Sequence, residues 1–425
     1  MNRNASAAVF FLLAIATCVA QGTPSAADAN GATLLRHDFT VYDPQYAAEF
    51  AVRGAHIRDL ETEMAAAEAK GIPNTCAHQI LFEAGTLLFT TADFKRVDRL
   101  IDNLVVSIAH PSADKQDANG MWGSCSEQWY LKLDNTYDHL MNDSHGRSEK
   151  GPRLPMPAFL EPVATPATLK AYLDSIAVSD VQHNGVDHGL EFNLAVSDLL
   201  RFLVLGEPLN YKVDPALHDA FLAYLMGPYR NHQTGFWGER YRRDGHEDFN
   251  DDISTTFHIV SYLHGNVPEM PQLLNTLFAL KDLNAPAGWL SHGQYWNHNN
   301  VDVITEFRYA WPTASPAQRK QISMEIERML IWCIDDSLQP DGSFKRTTGD
   351  PSIEYAEYFG TAFLARIGYF NPALRFWTDR TFPEAAEVKQ RIQNFAEKNK
   401  DSDPTGGGYH DVLSELDTHE FNKQQ

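Results

Sequence analysis

A repeat of glycine–aromatic turns constrains the fold of this chain more than any other feature. Gly120-Met121-Trp122-Gly123, Gly235-Phe236-Trp237-Gly238, Gly288-Trp289-Leu290 and Asp341-Gly342-Ser343-Phe344 each set a glycine just before an aromatic residue. The last three recur at roughly 53–54 residues, and the first two lie about twice that apart, with His183-Asn184-Gly185 in the gap. A period of roughly 50–60 residues is the length of a two-helix hairpin, and hairpins of this kind bury their apolar faces by stacking on one another. Alternating runs of β-branched residues are nearly absent, so helical patterning dominates.

Two classes of helix fit between the turns. Amphipathic segments with charged faces run over about 43–69, 94–109, 166–178, 214–226, 268–281, 315–337 and 371–397. Several open on an N-cap followed by proline, as at Thr165-Pro166, Asp214-Pro215 and Ser315-Pro316. More uniformly apolar segments run over about 76–90, 124–140, 187–204, 252–264, 298–310 and 351–367. A helix with little polar face belongs inside. Six inner helices alternating with outer ones predict an all-α (α/α)6 toroid around a central cavity, with an open α-solenoid as the alternative.

Arg3 followed by the apolar stretch Ala7 to Ala20 reads as a signal peptide, too short to span a bilayer. The expected organisation is a signal over 1–20, a disordered leader over 21–35, the toroid over 36–400 and a tail over 401–425. Export to the periplasm or the exterior follows, with no later membrane segment. The formal charge of −21 argues against nucleic acid and anionic membranes as partners. Removing Cys18 with the signal leaves Cys76, Cys125 and Cys333. Cys76 and Cys125 open successive inner helices, which predicts a disulfide between them in an oxidising compartment. Cys333, beside Trp332, reads as packing.

The loops that open the inner helices share one composition. The richest run is Asn231-His232, Trp237, Glu239, Arg240 and Tyr241, followed by Asp251-Asp252; the next gives Trp289, Tyr295, His298, Asn299 and Asp302. Others supply Asp187, His188, Trp122, Glu354 and Glu357. Aromatic rings cover the C–H faces of sugars, carboxylates and amides bind vicinal hydroxyls, and a carboxyl pair serves as general acid and base. An exported helical toroid with this lining resembles the six-hairpin glycosidases and polysaccharide lyases in architecture, without a family motif from which catalytic residues carry over.

The leading expectation is glycoside hydrolysis, with Asp252 as one carboxyl partner and Glu354, Glu357 or Glu239 as the other. Trp237, Tyr241, Trp289 and Tyr295 would be platforms, and Trp122, Asp187, His188 and Asn299 further contacts to an oligo- or polysaccharide. The alternative is β-elimination on a uronic-acid polymer. There His232 or His298 with Tyr241 would move protons, Asn231 would neutralise the carboxylate and Arg240 would bind it. A non-catalytic glycan-binding protein needs the same aromatics without the acid–base pair. Each residue also has an ordinary structural reading: Asp251-Asp252 as helix caps, Glu239 as a partner of nearby arginines, Glu354 and Glu357 in salt bridges to Arg366, and the Asn-His pairs as turn residues. A terpenoid cyclase would need DxDD, and in Asp248-Phe249-Asn250-Asp251-Asp252 asparagine stands at position 250, where that motif would need the first aspartate of its closing pair. No Walker loop, GxGxxG, HExxH, EF-hand loop or CxxC occurs, so no cofactor and no metal is expected.

Overall fold

The computed structural model describes residues 46–68, 74–144, 155–205, 211–285, 288–347, 353–400 and 408–417. The expected signal and leader lie outside them. The described chain is all-α in character, with few strands, and divides into two compact units. Of the described residues, 46–230 and 238–250 form the first, and 231–237 and 251–417 the second. No described helix is long and apolar enough to cross a membrane.

The first unit contains α1 (Tyr46–Glu68), α2 (Thr75–Thr90), α3 (Phe94–Ala109), α4 (Trp129–Ser144), α5 (Pro166–Ile176), the short α6 (Val181–Asn184), α7 (Gly189–Leu200) and α8 (Pro215–Met226). Burial separates the two helix classes as the sequence predicts. The inner α2 buries fourteen of its sixteen residues. The outer α3, of equal length, buries five: Val97, Leu100, Ile101, Leu104 and Ser107, a single stripe. Thr165 caps α5 with a full capping box, and Asp214 caps α8 through Ala216 N–H.

α4 begins at Trp129, later than the expected 124, because the preceding loop winds around a buried carboxylate. Asp114 accepts from Gly123 N–H at 2.8 Å and from Ser124 N–H at 2.9 Å. Glu83 on α2 then accepts from Glu127 N–H at 2.7 Å and Gln128 N–H at 3.2 Å, satisfying donors that precede α4. The Cys76–Cys125 disulfide closes the same junction with its Cα atoms 5.3 Å apart. Its two cysteines are 49 residues apart. Replacing both with serine is therefore expected to lower unfolding free energy by about 2–4 kcal/mol, read by denaturant titration of oxidised protein. An unchanged midpoint would show that the caps alone hold the junction. Cys333 is a buried free thiol, as its packing role requires.

The sequence reading misses a small sheet in this unit. β2 (Arg240–Arg243) and β3 (His246–Phe249) form an antiparallel hairpin, and β1 (Val178–Ser179) pairs parallel with β2. The turn residues Asp244 and Gly245 both have positive φ, at 49° and 79°. Asp-Gly is a strong hairpin signal, but charged flanks hide the usual alternation.

The second unit contains α9 (Ile253–Tyr262), α10 (Met270–Leu280), α11 (Asn297–Ala310), α12 (Pro316–Trp332), α13 (Ile353–Arg366), α14 (Ala385–Asn399) and α15 (Gly408–Asp417). The inner α11 packs against α9 on one side and α13 on the other, and α13 also packs against α15. The expected outer helix over 371–397 begins only at Ala385. Asn371 caps a 3-10 turn at Pro372–Leu374, and an extended path follows. That path buries Trp377 and Phe382, with Trp377 Nε1–H donating to Ile367 O at 2.9 Å. Within the expected tail, α15 is a packed helix that buries Tyr409, Val412 and Leu416.

The repeated turn now has a physical account. A Cβ on Gly235 would come within 2.9 Å of Leu273 N, and one on Gly342 within 2.3 Å of Arg391 O. Both glycines also have positive φ. These two turns thus press their backbone onto an outer helix, a contact only glycine permits. The aromatic that follows, Trp237 or Phe344, fills the core beneath.

Candidate active site

The second unit holds a buried acidic stripe on its central inner helix. His298, Asp302 and Glu306 stand at i, i+4 and i+8 on α11, which puts them on one face. Asn297 and Asn299 anchor the start of that helix, donating to Ser337 Oγ at 3.1 Å and to Trp289 O at 3.2 Å. Asp252 sits at the N-cap of α9, with Oδ1 accepting from Thr255 N–H at 2.6 Å. Its charge acts on both Asp302 and Glu306.

Asp302 and Glu306 are 2 % and 0 % exposed. Asp302 Oδ2 and both carboxyl oxygens of Glu306 have no hydrogen-bond partner among the described residues. Burial, and then neighbouring carboxylates, push both carboxyls well above their ordinary range; the Arg366 guanidinium of α13 acts against this at Asp302 alone. Burial of this kind favours the protonated carboxyl, the form that can donate a proton. At the mouth of the stripe, His298 is ringed by aromatic side chains. Phe359 lies edge-on at 4.5 Å, Trp296 at 4.7 Å and Tyr355 near-parallel at 5.7 Å between centroids. Desolvation pushes its imidazole down to about 4, so it is neutral at pH 7. His298, Tyr355 and Phe359 are only half-buried, which leaves ring surface for a ligand.

The raised carboxyl of Glu306 gives a stability prediction. Its folded form holds the proton more tightly than the unfolded chain. The associated stability is fully present below the unfolded carboxyl's range and is lost as pH rises through the folded one. Glu306→Gln, neutral at every pH, is expected to raise Tm by about 3 °C or more at pH 8 and to leave it nearly unchanged at pH 4. Equal shifts at both pH values in calorimetry would refute the assignment.

The sequence candidates distribute unevenly around this stripe. Asp252 and His298 belong to it, and Asn299 orients it. Trp237 and Trp289 are wholly enclosed at 0 % exposure, so neither offers a platform; Trp289 packs edge-on against Phe307. Tyr295 turns toward Trp332 on the outer α12. Glu357 accepts from Phe344 N–H at 2.7 Å and so fixes a glycine–aromatic turn. Glu354 lies on α13, but its side chain falls outside the described residues. His232 is exposed and pairs with Glu269. Asn231 donates to Asp251, which also accepts from Thr234 Oγ1–H, closing a turn.

The remaining candidates lie in the first unit. Asp187 accepts from Gly189 N–H at 2.7 Å and from Tyr241 Oη–H at 2.9 Å. Glu239 accepts from Asn250 Nδ2–H at 2.7 Å. Both carboxylates lie within 3.1 Å of the point a Gly189 Cβ would occupy, so they converge at the start of α7. His188 contacts Glu191, which also accepts from Tyr172 Oη–H. Arg240 pairs with Glu247 within the hairpin. Trp122 stacks on His139 at 4.2 Å. These contacts build a second polar constellation, in which Asp187 accepts through both oxygens and Glu239 through Oε1.

Asp302 appears among the sequence's polar residues, yet neither it nor Glu306 stands among the expected catalytic ones. Their signal is two acids four residues apart in a helix otherwise read as apolar. No group of His, Cys, Asp and Glu among the described residues is arranged to hold a metal ion. No family model matches the chain, and no curated protein or solved structure matches it.

Proposed function

We propose that this chain is a carbohydrate-active enzyme, a glycoside hydrolase whose inner helices close into an (α/α)6 toroid, with its chemistry on α11. Asp302 donates its proton to the glycosidic oxygen as the bond to the anomeric carbon breaks. Asp252 takes a proton from the water that attacks that carbon. The single observation that carries this reading is the Asp302 carboxyl, buried with Oδ2 unpartnered and its proton affinity raised by burial, beside Asp252. Two carboxyls in unlike environments are the recurrent acid–base arrangement of glycoside hydrolysis. The half-buried rings of Tyr355, Phe359 and His298 supply faces for a sugar. The disulfide suits an oxidising compartment and so supports export.

One observation favours a second reading, β-elimination. The imidazole of His298 is neutral at pH 7 and so carries an unprotonated nitrogen, as removal of the C5 proton of a uronate requires, although its lowered proton affinity makes it a weaker base than an ordinary imidazole. Incubation with a panel of neutral and uronic-acid glycans separates the two. Hydrolysis releases reducing ends and leaves no ultraviolet-absorbing unsaturated uronide. Appearance of that chromophore would replace the hydrolase reading with the lyase one, and the absence of either product would favour glycan binding alone.

A further inference from the structure

Arg366 ends α13, and among the described residues it is the cation whose charge acts on Asp302. Its guanidinium does not stand free. NH2 donates to Glu415 Oε1 at 3.1 Å and to Tyr358 Oη at 3.4 Å, and Tyr358 Oη–H donates to the same Glu415 oxygen at 3.4 Å. Glu415 comes from α15, and its side chain is 6 % exposed against 15 % for Arg366. The backbone below is held too, since Arg308 NH2 donates to the carbonyls of Arg366 and Leu374. The charged or titratable groups facing Arg366 are thus Asp302, Arg308 and Tyr309 from α11, Tyr358 on its own helix, and Glu415 from α15. Asp411, also on α15, acts on Tyr358. Those facing Asp302 are Arg366, Asp252 and Glu306.

A guanidinium shared in this way sends only part of its field to any one neighbour. We propose that Glu415 is a positioning residue for Asp302: by holding and partly neutralising Arg366, it limits the positive charge that reaches the carboxyl and so keeps it an acid. The catalytic consequence rests on the reading of Asp302 as the proton donor. The electrostatic arrangement can be tested without it.

Glu415→Gln removes the compensating charge, so Arg366 acts on Asp302 more strongly and favours its ionised form. Arg366→Met removes the cation and favours the protonated form. The protonated-carboxyl stretch of Asp302 is isolated as an infrared difference between each protein and the same protein carrying Asp302→Asn. Its titration midpoint is expected to fall by about half a pH unit or more in Glu415→Gln and to rise by a similar amount in Arg366→Met. Glu415→Asp, which keeps the charge, should restore the wild-type midpoint. A merely structural role would lower Tm in both variants without shifting the midpoints in opposite directions. Midpoints unmoved in either of the two, or moved the same way in both, overturn the proposal. If Glu415→Gln does not fold, Arg366→Met against wild type decides alone. Failure of the hydrolase reading is a separate result, seen as full hydrolysis by Asp302→Asn while the midpoints still shift.

Discussion

Asp302→Asn is expected to lower hydrolysis of unactivated glycosides by roughly two to four orders of magnitude, with the fold intact. The substitution is nearly isosteric and leaves a neutral side chain, the form that burial favours for this carboxyl. It removes only the transferable proton. Packing on α11 is otherwise unchanged, because Asp302 Oδ2 has no hydrogen-bond partner to lose. Circular dichroism and Tm should match the wild type or exceed it slightly at high pH, where the native carboxyl is under strain to ionise. Loss of activity together with loss of fold would make Asp302 a structural residue. Glu357→Gln gives the contrast: its carboxylate accepts from Phe344 N–H, so the change should reduce stability more than it reduces turnover.

Ending the chain at residue 400 is expected to produce the largest loss of stability. α15 buries Tyr409, Val412 and Leu416 against the second unit, and each such side chain contributes about 1.5–3 kcal/mol. Its removal also leaves the Arg366 guanidinium without Glu415, and breaking a buried ion pair from one side costs about 3–5 kcal/mol. Together these approach the whole margin of a typical domain, about 5–15 kcal/mol. The shortened protein should therefore aggregate or lose its cooperative thermal transition, as calorimetry would show. A transition within a few degrees of the full chain would mean that α15 is a dispensable tail.

Much of the architecture is legible in the sequence because helix signals are local. Thr165-Pro166, Asp214-Pro215 and Ser315-Pro316 each open the helix expected of them. The burial contrast between α2 and α3 follows directly from their patterns. Cys76 and Cys125 could be paired because both stand near the starts of successive helices of the inner class. The stretch 371–384 was less readable: its aromatic residues suit a helix face, but Pro372 and Pro383 and the burial of Trp377 favour an extended clasp. α15 was hidden by the glycines before it.

The site was legible in part. Attention to the turns found Asp252 and His298, which do stand together with Asp302 and Glu306. The same attention overvalued Trp237 and Trp289, because a turn aromatic can face the core as readily as a cavity, and only packing decides. Asn231 and Glu239 bond to partners more than ten residues away and Arg240 is ion-paired across a hairpin, which no local pattern reveals. Glu306 was missed because an acid in an apolar helix lies far from any turn.

The account stands most directly on whether Asp302 protonates a leaving group. The measurement is the activity of Asp302→Asn on two glycosides of the sugar that the glycan panel identifies: a dinitrophenyl glycoside, whose leaving group needs no proton, and a simple alkyl or phenyl glycoside, whose leaving group does. The account predicts near-wild-type cleavage of the first and loss of the second by about a hundredfold or more. Equal activity on both, whether fully retained or equally reduced, would contradict it.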